Sequence, residues 1–269
     1  MFATINHAPL FCIDEGNPTA MPVLFLHGFP FSHEMWRPQL EVTAQFYRSL
    51  AYDIRGHGKS FVGDGQFTID GHVDDLVALL DHLNIQNTVI VGLSMGGYIT
   101  LRALERAPER FRAVVLCDTR SEGDSDEGKA KRFAGMEGVK RHGSAVFAEA
   151  FVKNVFAPDT FVTSPASVES IRAVIARTSP LSIAGTLLAL AARTNTTPSL
   201  KNIYIPTLIL VGEKDITTPP ADARAMHERI AGSELHIIPR AAHMSNLENP
   251  PFFNDRLLTF LKRVSAMKP

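Results

Sequence analysis

The sequence predicts an α/β domain, with a mostly parallel β-sheet covered by helices on both faces and a helical cap inserted into it. Short apolar runs alternate with longer segments whose apolar residues recur at helical spacing, a pattern that builds parallel sheets flanked by helices. Between about residues 120 and 200 the helical periods continue without a convincing strand. We therefore predict a core formed by residues 1–119 and 201–269, and a cap formed by residues 120–200.

The first half of the chain contains most of the predicted sheet. Apolar runs predict strands at 21–26, 48–53, 88–93 and 113–117. The third of these runs is rich in β-branched residues, which favour strands. Helical spacing of apolar residues predicts helices over 70–83 and 97–107, and Pro108 ends the second helix.

The same alternation resumes after the cap. It predicts strands at 207–211 and 234–238, and helices at 220–230 and 252–264. Within the cap, prolines divide the helical pattern into about four helices; these prolines are Pro158, Pro165, Pro180 and Pro198. The cap is therefore predicted between two strands of one sheet, where a lid over a site would lie.

The composition is that of an ordinary globular protein. The 269 residues are 45% apolar and 20% charged, and the formal net charge of -1 leaves no basic surplus for nucleic acid. No apolar run is long enough to cross a bilayer, and the first residues lack a signal-peptide pattern. We therefore expect no membrane partner and a cytoplasmic location. Cys12 and Cys117 are expected to be reduced, structural residues.

The strongest chemical signal is the segment 92–96, which fits G-x-S-x-G and lies between a predicted strand and a predicted helix. Only small residues two positions before and after Ser94 allow the strand and the helix to approach closely, with the serine in a strained conformation. The turn would place the hydroxyl at the carboxyl edge of the sheet and at a helix N-terminus, which favours negative charge. We predict Ser94 to be the nucleophile of a serine hydrolase.

A serine hydroxyl needs a base that removes its proton, and the base needs a carboxylate that orients it. His243 follows the last predicted strand, and Asp215 lies just past the end of the strand before it. Both are therefore predicted at the same sheet edge as Ser94, in the chain order that accompanies the G-x-S-x-G turn. Asp118 also follows a predicted strand end and stays open as an alternative acid.

Acyl transfer also needs backbone donors for the oxyanion. The N–H of Met95, directly after the nucleophile, is one candidate. The other is the N–H of Phe29, in a loop where Gly28 permits close approach of the backbone. The segment 53–60 looks like a phosphate loop, but Asp stands where the first glycine is required, so we interpret it as a rigid turn that supports the oxyanion loop. No metal-binding spacing occurs in the sequence.

Five motifs in order, at 27–30, 53–60, 92–97, 212–215 and 242–243, resemble those of the α/β-hydrolase superfamily. Within it, the chain is similar to small bacterial carboxylesterases, 3-oxoadipate enol-lactonases and cofactor-free haloperoxidases, which are perhydrolases. The resemblance implies an eight-stranded, mostly parallel sheet, the same catalytic roles for Ser94, Asp215 and His243, and oxyanion donors from Phe29 and Met95. It also implies that no cofactor is needed. A serine nucleophile argues against haloalkane dehalogenases and epoxide hydrolases, which use a carboxylate.

We expect hydrolysis of a small-molecule ester or lactone through an acyl-serine intermediate. Apolar side chains are expected to line the substrate pocket; the candidates are Phe29, Phe133, Met136, Phe147, Phe151 and Met244. Three alternatives stay open: perhydrolysis, C–C hydrolysis or a lyase reaction by the same triad, and a non-catalytic, receptor-like protein that keeps the pocket.

Overall fold

The computed structural model describes residues 1–267, and its strands form one eight-stranded sheet. The strands are β1 (Phe2–Ile5), β2 (Ala8–Glu15), β3 (Pro22–Leu26), β4 (Arg48–Tyr52), β5 (Thr88–Leu93), β6 (Phe111–Cys117), β7 (Thr207–Gly212) and β8 (Glu234–Ile238). Their order across the sheet is β1-β2-β4-β3-β5-β6-β7-β8. Strand β2 runs antiparallel to β1 and β4, and the other neighbouring pairs are parallel. The predicted mostly parallel sheet is confirmed.

Helices connect these strands. They are α1 (Arg37–Thr43), α2 (Ile69–His82), α3 (Met95–Arg106), α4 (Asp126–Val155), α5 (Thr160–Thr163), α6 (Pro165–Arg177), α7 (Pro180–Ala191), α8 (Pro220–His227), α9 (Ser245–Glu248) and α10 (Pro250–Ala266). Short 3₁₀ segments lie at His33–Trp36, Pro108–Arg110 and Thr197–Asn202. Every residue of β5 is buried, as expected for a central strand covered on both faces.

The core is built from the strands and the helices that cover them. Trp36 is fully buried between Phe25 of β3 and Phe253 of α10, with ring centroids 5.1 and 6.1 Å away. Burying an aromatic side chain of this kind stabilises the fold by about 2–3 kcal/mol. Cys12 and Cys117 are free thiols and are buried in this core, as predicted.

The segment between β6 and β7 carries the cap helices α4 to α7, and no strand is present in it among the described residues. Helix α4 is interrupted at Gly143, whose φ of 80° and ψ of 170° are not helical. Helix α7 lies against the core so closely that a Cβ at Gly185 would fall 1.9 Å from the carbonyl oxygen of Gly65. Within residues 1–267 no single helix could span a membrane; α6 and α7 meet the length and hydropathy criteria only as a pair bent by 97°.

Candidate active site

Ser94 occupies a tight turn between β5 and α3. Its φ of 53° and ψ of −113° place a non-glycine residue in a strained backbone conformation. A Cβ at Gly92 would fall 2.4 Å from the carbonyl oxygen of Gly96, and a Cβ at Gly96 would fall 2.3 Å from that of Leu26. Glycine is therefore required at both positions: at Gly92 because β5 and α3 approach closely, as predicted, and at Gly96 because α3 also approaches the end of β3.

The end of β6 holds this turn in place. The N–H of Ser94 donates to the carbonyl oxygen of Cys117 at 3.0 Å, and the Thr119 hydroxyl donates to the carbonyl oxygen of Ser94 at 2.9 Å. Gly97 makes room for Thr119, because a Cβ at Gly97 would fall 2.3 Å from the threonine Oγ1. The Ser94 side chain is thereby fixed at the N-terminus of α3, where it lines a cavity.

His243 and Asp215 form a buried pair. The Nδ1 atom of His243 lies 2.8 Å from Oδ2 of Asp215, and the two residues are only 2% and 3% exposed. This contact directs the Nδ1 proton to the carboxylate and leaves Nε2 as the acceptor nitrogen. His243 also lines the cavity that contains Ser94. Among the described residues, the His243 ring forms hydrogen bonds with Asp215 and Thr218. A hydrogen bond between a general base and its nucleophile commonly tightens only when substrate is bound.

The Asp215 carboxylate is satisfied by the turn that follows it. It accepts hydrogen bonds from the N–H groups of Thr217 and Thr218 at 2.8 and 3.1 Å, and from the Thr218 hydroxyl at 2.8 Å. Burial raises the pKa of Asp215, but the adjacent His243 imidazole and these hydrogen bonds outweigh burial and bring the pKa below its usual value. The carboxylate is therefore ionised beside the imidazole, as an orienting acid must be.

Asp118, the alternative acid, has different partners. Its Oδ1 accepts the N–H of Gly212 at 2.8 Å, and its Oδ2 accepts the hydroxyl of Ser245. Burial raises the pKa of Asp118 well above its usual value, and the nearby charge of Asp215 raises it further. Asp118 thus joins the end of β7 to the start of α9, whereas His243 is bonded to Asp215.

The predicted oxyanion loop is held by His27. Its Nε2 accepts the N–H of Ile54 at 3.0 Å, so its Nδ1 carries the proton and donates to the carbonyl oxygen of Gly28 at 2.8 Å. Burial lowers the pKa of His27 to about 4, which keeps the ring neutral. In the described chain, the N–H groups of Phe29 and Met95 donate to no other protein group. Both residues line the cavity beside Ser94.

The segment 53–60 forms a rigid turn beside this loop. Asp53 accepts hydrogen bonds from the N–H of His33 at 2.7 Å and from the N–H of Lys59 at 2.8 Å. A Cβ at Gly58, where φ is 55°, would fall 2.2 Å from the Asp53 carboxyl group. The carboxylate therefore fills the centre of this turn, which differs from an anion-binding loop. Within residues 1–267, no cluster of three or more His, Cys, Asp or Glu side chains is arranged to hold a metal ion.

The cavity at Ser94 has a volume of about 720 Å³ and lies under the cap. Three of the predicted pocket residues line it: Phe29, Phe147 and Phe151. Their rings contact one another, with the Phe147 and Phe151 centroids 5.3 Å apart and both rings edge-on to Phe29. This aromatic wall joins the core loop to the cap.

The other predicted pocket residues require correction, because none of them lies among the residues that line the cavity. Phe133 is 47% exposed, on a face of α4 that points to solvent. Met244 is fully buried in the hydrophobic core, and Met136 packs against that core. The apolar character of these residues could not decide which of them face the cavity, the core or the solvent.

A polar end of the cavity was missed in the sequence. Arg120 and Arg132 line it, and each donates to the carboxylate of Asp124, at 3.1 and 2.9 Å. Arg193 donates to the same carboxylate at 2.6 Å, and the Asp124 side chain is only 1% exposed. The sequence signal for this polar end was the cluster of charged residues at 120–132, but such a cluster is also typical of a solvent-exposed helix end. The contact with Arg193 brings together residues from opposite ends of the cap.

Comparison with known proteins places this site in a family. A family model described as the alpha/beta hydrolase fold matches residues 21–250. The chain therefore belongs to the α/β-hydrolase family, as its five sequence motifs predicted. The fold and the strained serine turn agree with this assignment.

Three similar proteins carry functional names. 3-Oxoadipate enol-lactonase 2 from Acinetobacter baylyi is 31% identical over 90% of this chain and 88% of its own length. A putative non-heme chloroperoxidase from Synechocystis is 31% identical over 96% of this chain and 97% of its own. A malate-bound structure of a thermophilic esterase from Thermogutta terrifontis aligns with a TM-score of 0.94 and 34% identity over 99% of both chains. The predicted resemblance to esterases, enol-lactonases and haloperoxidases is confirmed.

Proposed function

We propose that this protein hydrolyses small carboxylic esters or lactones through an acyl-serine intermediate. The observation that carries the proposal is one cavity lined by both Ser94 and His243, with the far side of the imidazole bonded to Asp215. A hydroxyl at a strained helix N-terminus, an imidazole and an orienting carboxylate are the three parts that nucleophilic acyl transfer requires.

In the first half of the reaction, Oγ of Ser94 attacks the substrate carbonyl carbon while Nε2 of His243 takes the hydroxyl proton. The carbonyl oxygen becomes an oxyanion, which accepts hydrogen bonds from the N–H groups of Phe29 and Met95. Each such donor typically contributes about 3 kcal/mol to stabilisation of the transition state. Asp215 stabilises the imidazolium that forms, and the imidazolium then protonates the leaving alkoxide.

In the second half, water attacks the acyl-serine. His243 takes a proton from the water, the tetrahedral intermediate forms in the same oxyanion site, and Ser94 leaves as its Oγ regains the proton. For a lactone, the alcohol released in the first half stays attached to the acyl group, so the product is one hydroxy acid. No redox step and no external electron donor are required.

The shape of the cavity supports a small substrate with apolar and polar parts. A volume of about 720 Å³ falls within the usual range for small-molecule sites. Phe29, Phe147 and Phe151 offer an apolar wall, and Arg120 and Arg132 offer hydrogen-bond donors at the other end. An enol-lactonase and an esterase with bound malate among the similar proteins support substrates of this size and polarity.

A second candidate is perhydrolysis by the same acyl-serine, with hydrogen peroxide in place of water. The similarity to a putative non-heme chloroperoxidase favours it. Pro30, directly after the predicted oxyanion residue Phe29, also favours it, because this loop resembles the oxyanion loop of perhydrolases. Attack by peroxide on the acyl group would release a peracid, and Ser94 would regain its proton from His243. Peracid formation from acetate esters in the presence of peroxide measures this activity directly.

Turnover of p-nitrophenyl acetate tests the main proposal. Replacement Ser94→Ala should lower kcat by a factor on the order of a million, as in a comparable triad, because the attacking oxygen is lost. The matched control Ser265→Ala, at an exposed position on α10, should retain wild-type turnover.

A loss of only a few fold in Ser94→Ala would identify another nucleophile and contradict the proposal. A folded wild-type protein that turns over no member of a panel of esters and lactones would favour the receptor-like alternative. Cleavage of C–C bonds in preference to esters would favour the alternative of a C–C hydrolase or lyase that uses the same triad.

A further inference from the structure

Glu248, at the end of α9, joins two segments that are far apart in the sequence. Its Oε1 accepts the N–H of Ala157 at 2.7 Å and the hydroxyl of Thr160 at 2.6 Å, and both donors belong to the cap. Its Oε2 accepts the N–H of Ala242 at 2.7 Å. Since Ala242 directly precedes His243, one carboxylate connects the cap to the loop that carries the proposed general base.

The peptide on the other side of His243 is also bonded to the cap. The N–H of Met244 donates to the carbonyl oxygen of Val155 at 3.1 Å. His243 is therefore flanked by two peptide N–H groups whose hydrogen bonds both lead to cap residues, one directly and one through Glu248. A displacement of cap residues 155–160 would act on both sides of the imidazole.

A carboxylate suits this position better than any neutral side chain. Three donors converge on its two oxygens, and an amide has only one oxygen that can accept them. Burial raises the pKa of Glu248, and hydrogen bonds from Thr160, Ala157 and Ala242 offset part of that rise. Charge-assisted hydrogen bonds of this kind are about twice as strong as neutral ones, so they fix the geometry of both segments.

We propose that Glu248 is a positioning residue that makes the placement of His243 depend on the docking of the cap. The inference rests on the proposed ester hydrolysis, because Glu248 itself touches no reacting atom. Phe147 and Phe151 of the same cap line the cavity. The carboxylate therefore couples the wall that contacts substrate to the base that acts on it.

Replacement Glu248→Gln tests the coupling. The amide nitrogen would face one of the three donors, so either the cap or the loop before His243 must move. Because a misplacement of about 1 Å can cost about a hundredfold in rate, kcat for p-nitrophenyl acetate should fall at least about tenfold. KM should change by a smaller factor than kcat, since every side chain that lines the cavity is kept.

Two further variants separate positioning from general weakening. Thr160→Val keeps the side-chain shape but removes one cap donor, so it should lower kcat by a smaller factor. Combined with Glu248→Gln it should cause no further loss, because both changes break the same link. The matched control Asp159→Asn removes a different, exposed contact between cap and core, the ion pair with Lys214 at 2.9 Å, and should leave kcat unchanged.

Several results would overturn the inference. A folded Glu248→Gln protein with wild-type kcat would do so, and so would a variant with a lower melting temperature and only KM changed, which indicates a structural role. If Glu248→Gln does not fold, wild-type kcat in Thr160→Val is decisive against the inference. A wild-type protein without esterase activity would instead refute the proposed function, and the inference would fall with it.

Discussion

At the residue scale, Asp118 and Asp215 are two buried carboxyl groups whose environments shift their pKa values in opposite directions. Burial dominates at Asp118 and raises its pKa, while at Asp215 the His243 imidazole and hydrogen bonds outweigh burial and lower it. The charge of Asp215 itself contributes to the rise at Asp118. Two neighbouring carboxyl groups in such different environments take different roles, and Asp215 is the one bonded to the imidazole.

Isosteric substitutions test this division of roles. Asp215→Asn should lower kcat by about ten-thousandfold, because the amide favours the wrong imidazole tautomer. Asp118→Asn should cost less than about tenfold, because an amide oxygen can still accept the N–H of Gly212 and His243 is bonded to Asp215. Steady-state kinetics on one ester for both variants is the measurement. A larger loss in Asp118→Asn would make Asp118 the triad acid.

At the scale of elements, the cap is held by close backbone contacts as well as by side chains. Gly185 of α7 lies directly on the carbonyl group of Gly65, in the loop before α2, where no side chain fits. Gly138 of α4 has the opposite surroundings, since a Cβ there would meet nothing within 4 Å. A larger residue is therefore excluded at Gly185, whereas there is room for one at Gly138.

These two positions make a matched pair for stability measurements. Gly185→Ala should lower the free energy of unfolding by about 1–3 kcal/mol, because the methyl group forces α7 away from the core. Gly138→Ala should raise it by about 0.5–1 kcal/mol, because alanine loses less backbone entropy in a helix. Denaturant unfolding of both variants decides the point, and equal effects of the same sign would contradict the described docking of α7.

The elements also show how far sequence reasoning extends. All six strands predicted from apolar runs are present, with ends within two residues of the prediction, whereas the helix predicted over 220–230 ends earlier, at His227. The individual strands of the N-terminal hairpin were not located, because β1 is short and its exposed Phe2 hides the alternation of apolar and polar residues. Asn6 and His7, both with positive φ, form the turn between β1 and β2. Asn6 was the sequence signal for this turn, because asparagine favours positive φ in hairpin turns.

The proposed triad residues could be located from the sequence because each lies in the loop that follows a strand of a parallel sheet, so topology brings them to one edge. The partners of Asp124 and Glu248 were not accessible. Their long-range contacts are those of Asp124 with Arg193, 69 positions away between the ends of the cap, and of Glu248 with Ala157, 91 positions away between the cap and the core. No local periodicity encodes the packing of the cap on the core.

At the scale of the whole molecule, three buried, neutral histidines lie on the predicted oxyanion loop (His27), the turn at 53–60 (His57) and α2 (His72). Burial is the main cause that lowers the pKa of His27 to about 4 and the pKa values of His57 and His72 to about 3. His27 and His57 have ring centroids 5.4 Å apart, and His72 packs against Phe67. In the unfolded chain these rings would take up protons near pH 6.5.

The stability of the fold should therefore depend on pH. Between about pH 6.5 and 4 the unfolded chain binds protons that the folded histidines do not, so the free energy of unfolding falls as the pH falls. Each histidine contributes up to about 1.4 kcal/mol per pH unit in that range. For His72→Leu, denaturant unfolding at several pH values should show a pH dependence of the free energy of unfolding that is shallower by nearly one proton. An unchanged pH dependence would contradict a neutral His72 in the folded protein.

Covalent labelling with a fluorophosphonate measures whether Ser94 is the nucleophile that His243 activates for attack on a carbonyl carbon. The serine oxygen displaces fluoride from phosphorus and leaves a stable adduct, which peptide mass spectrometry can assign to a residue. We expect one adduct per chain, on Ser94, with esterase activity lost in proportion to labelling. An adduct on another residue, or full ester turnover in a completely labelled protein, would contradict it.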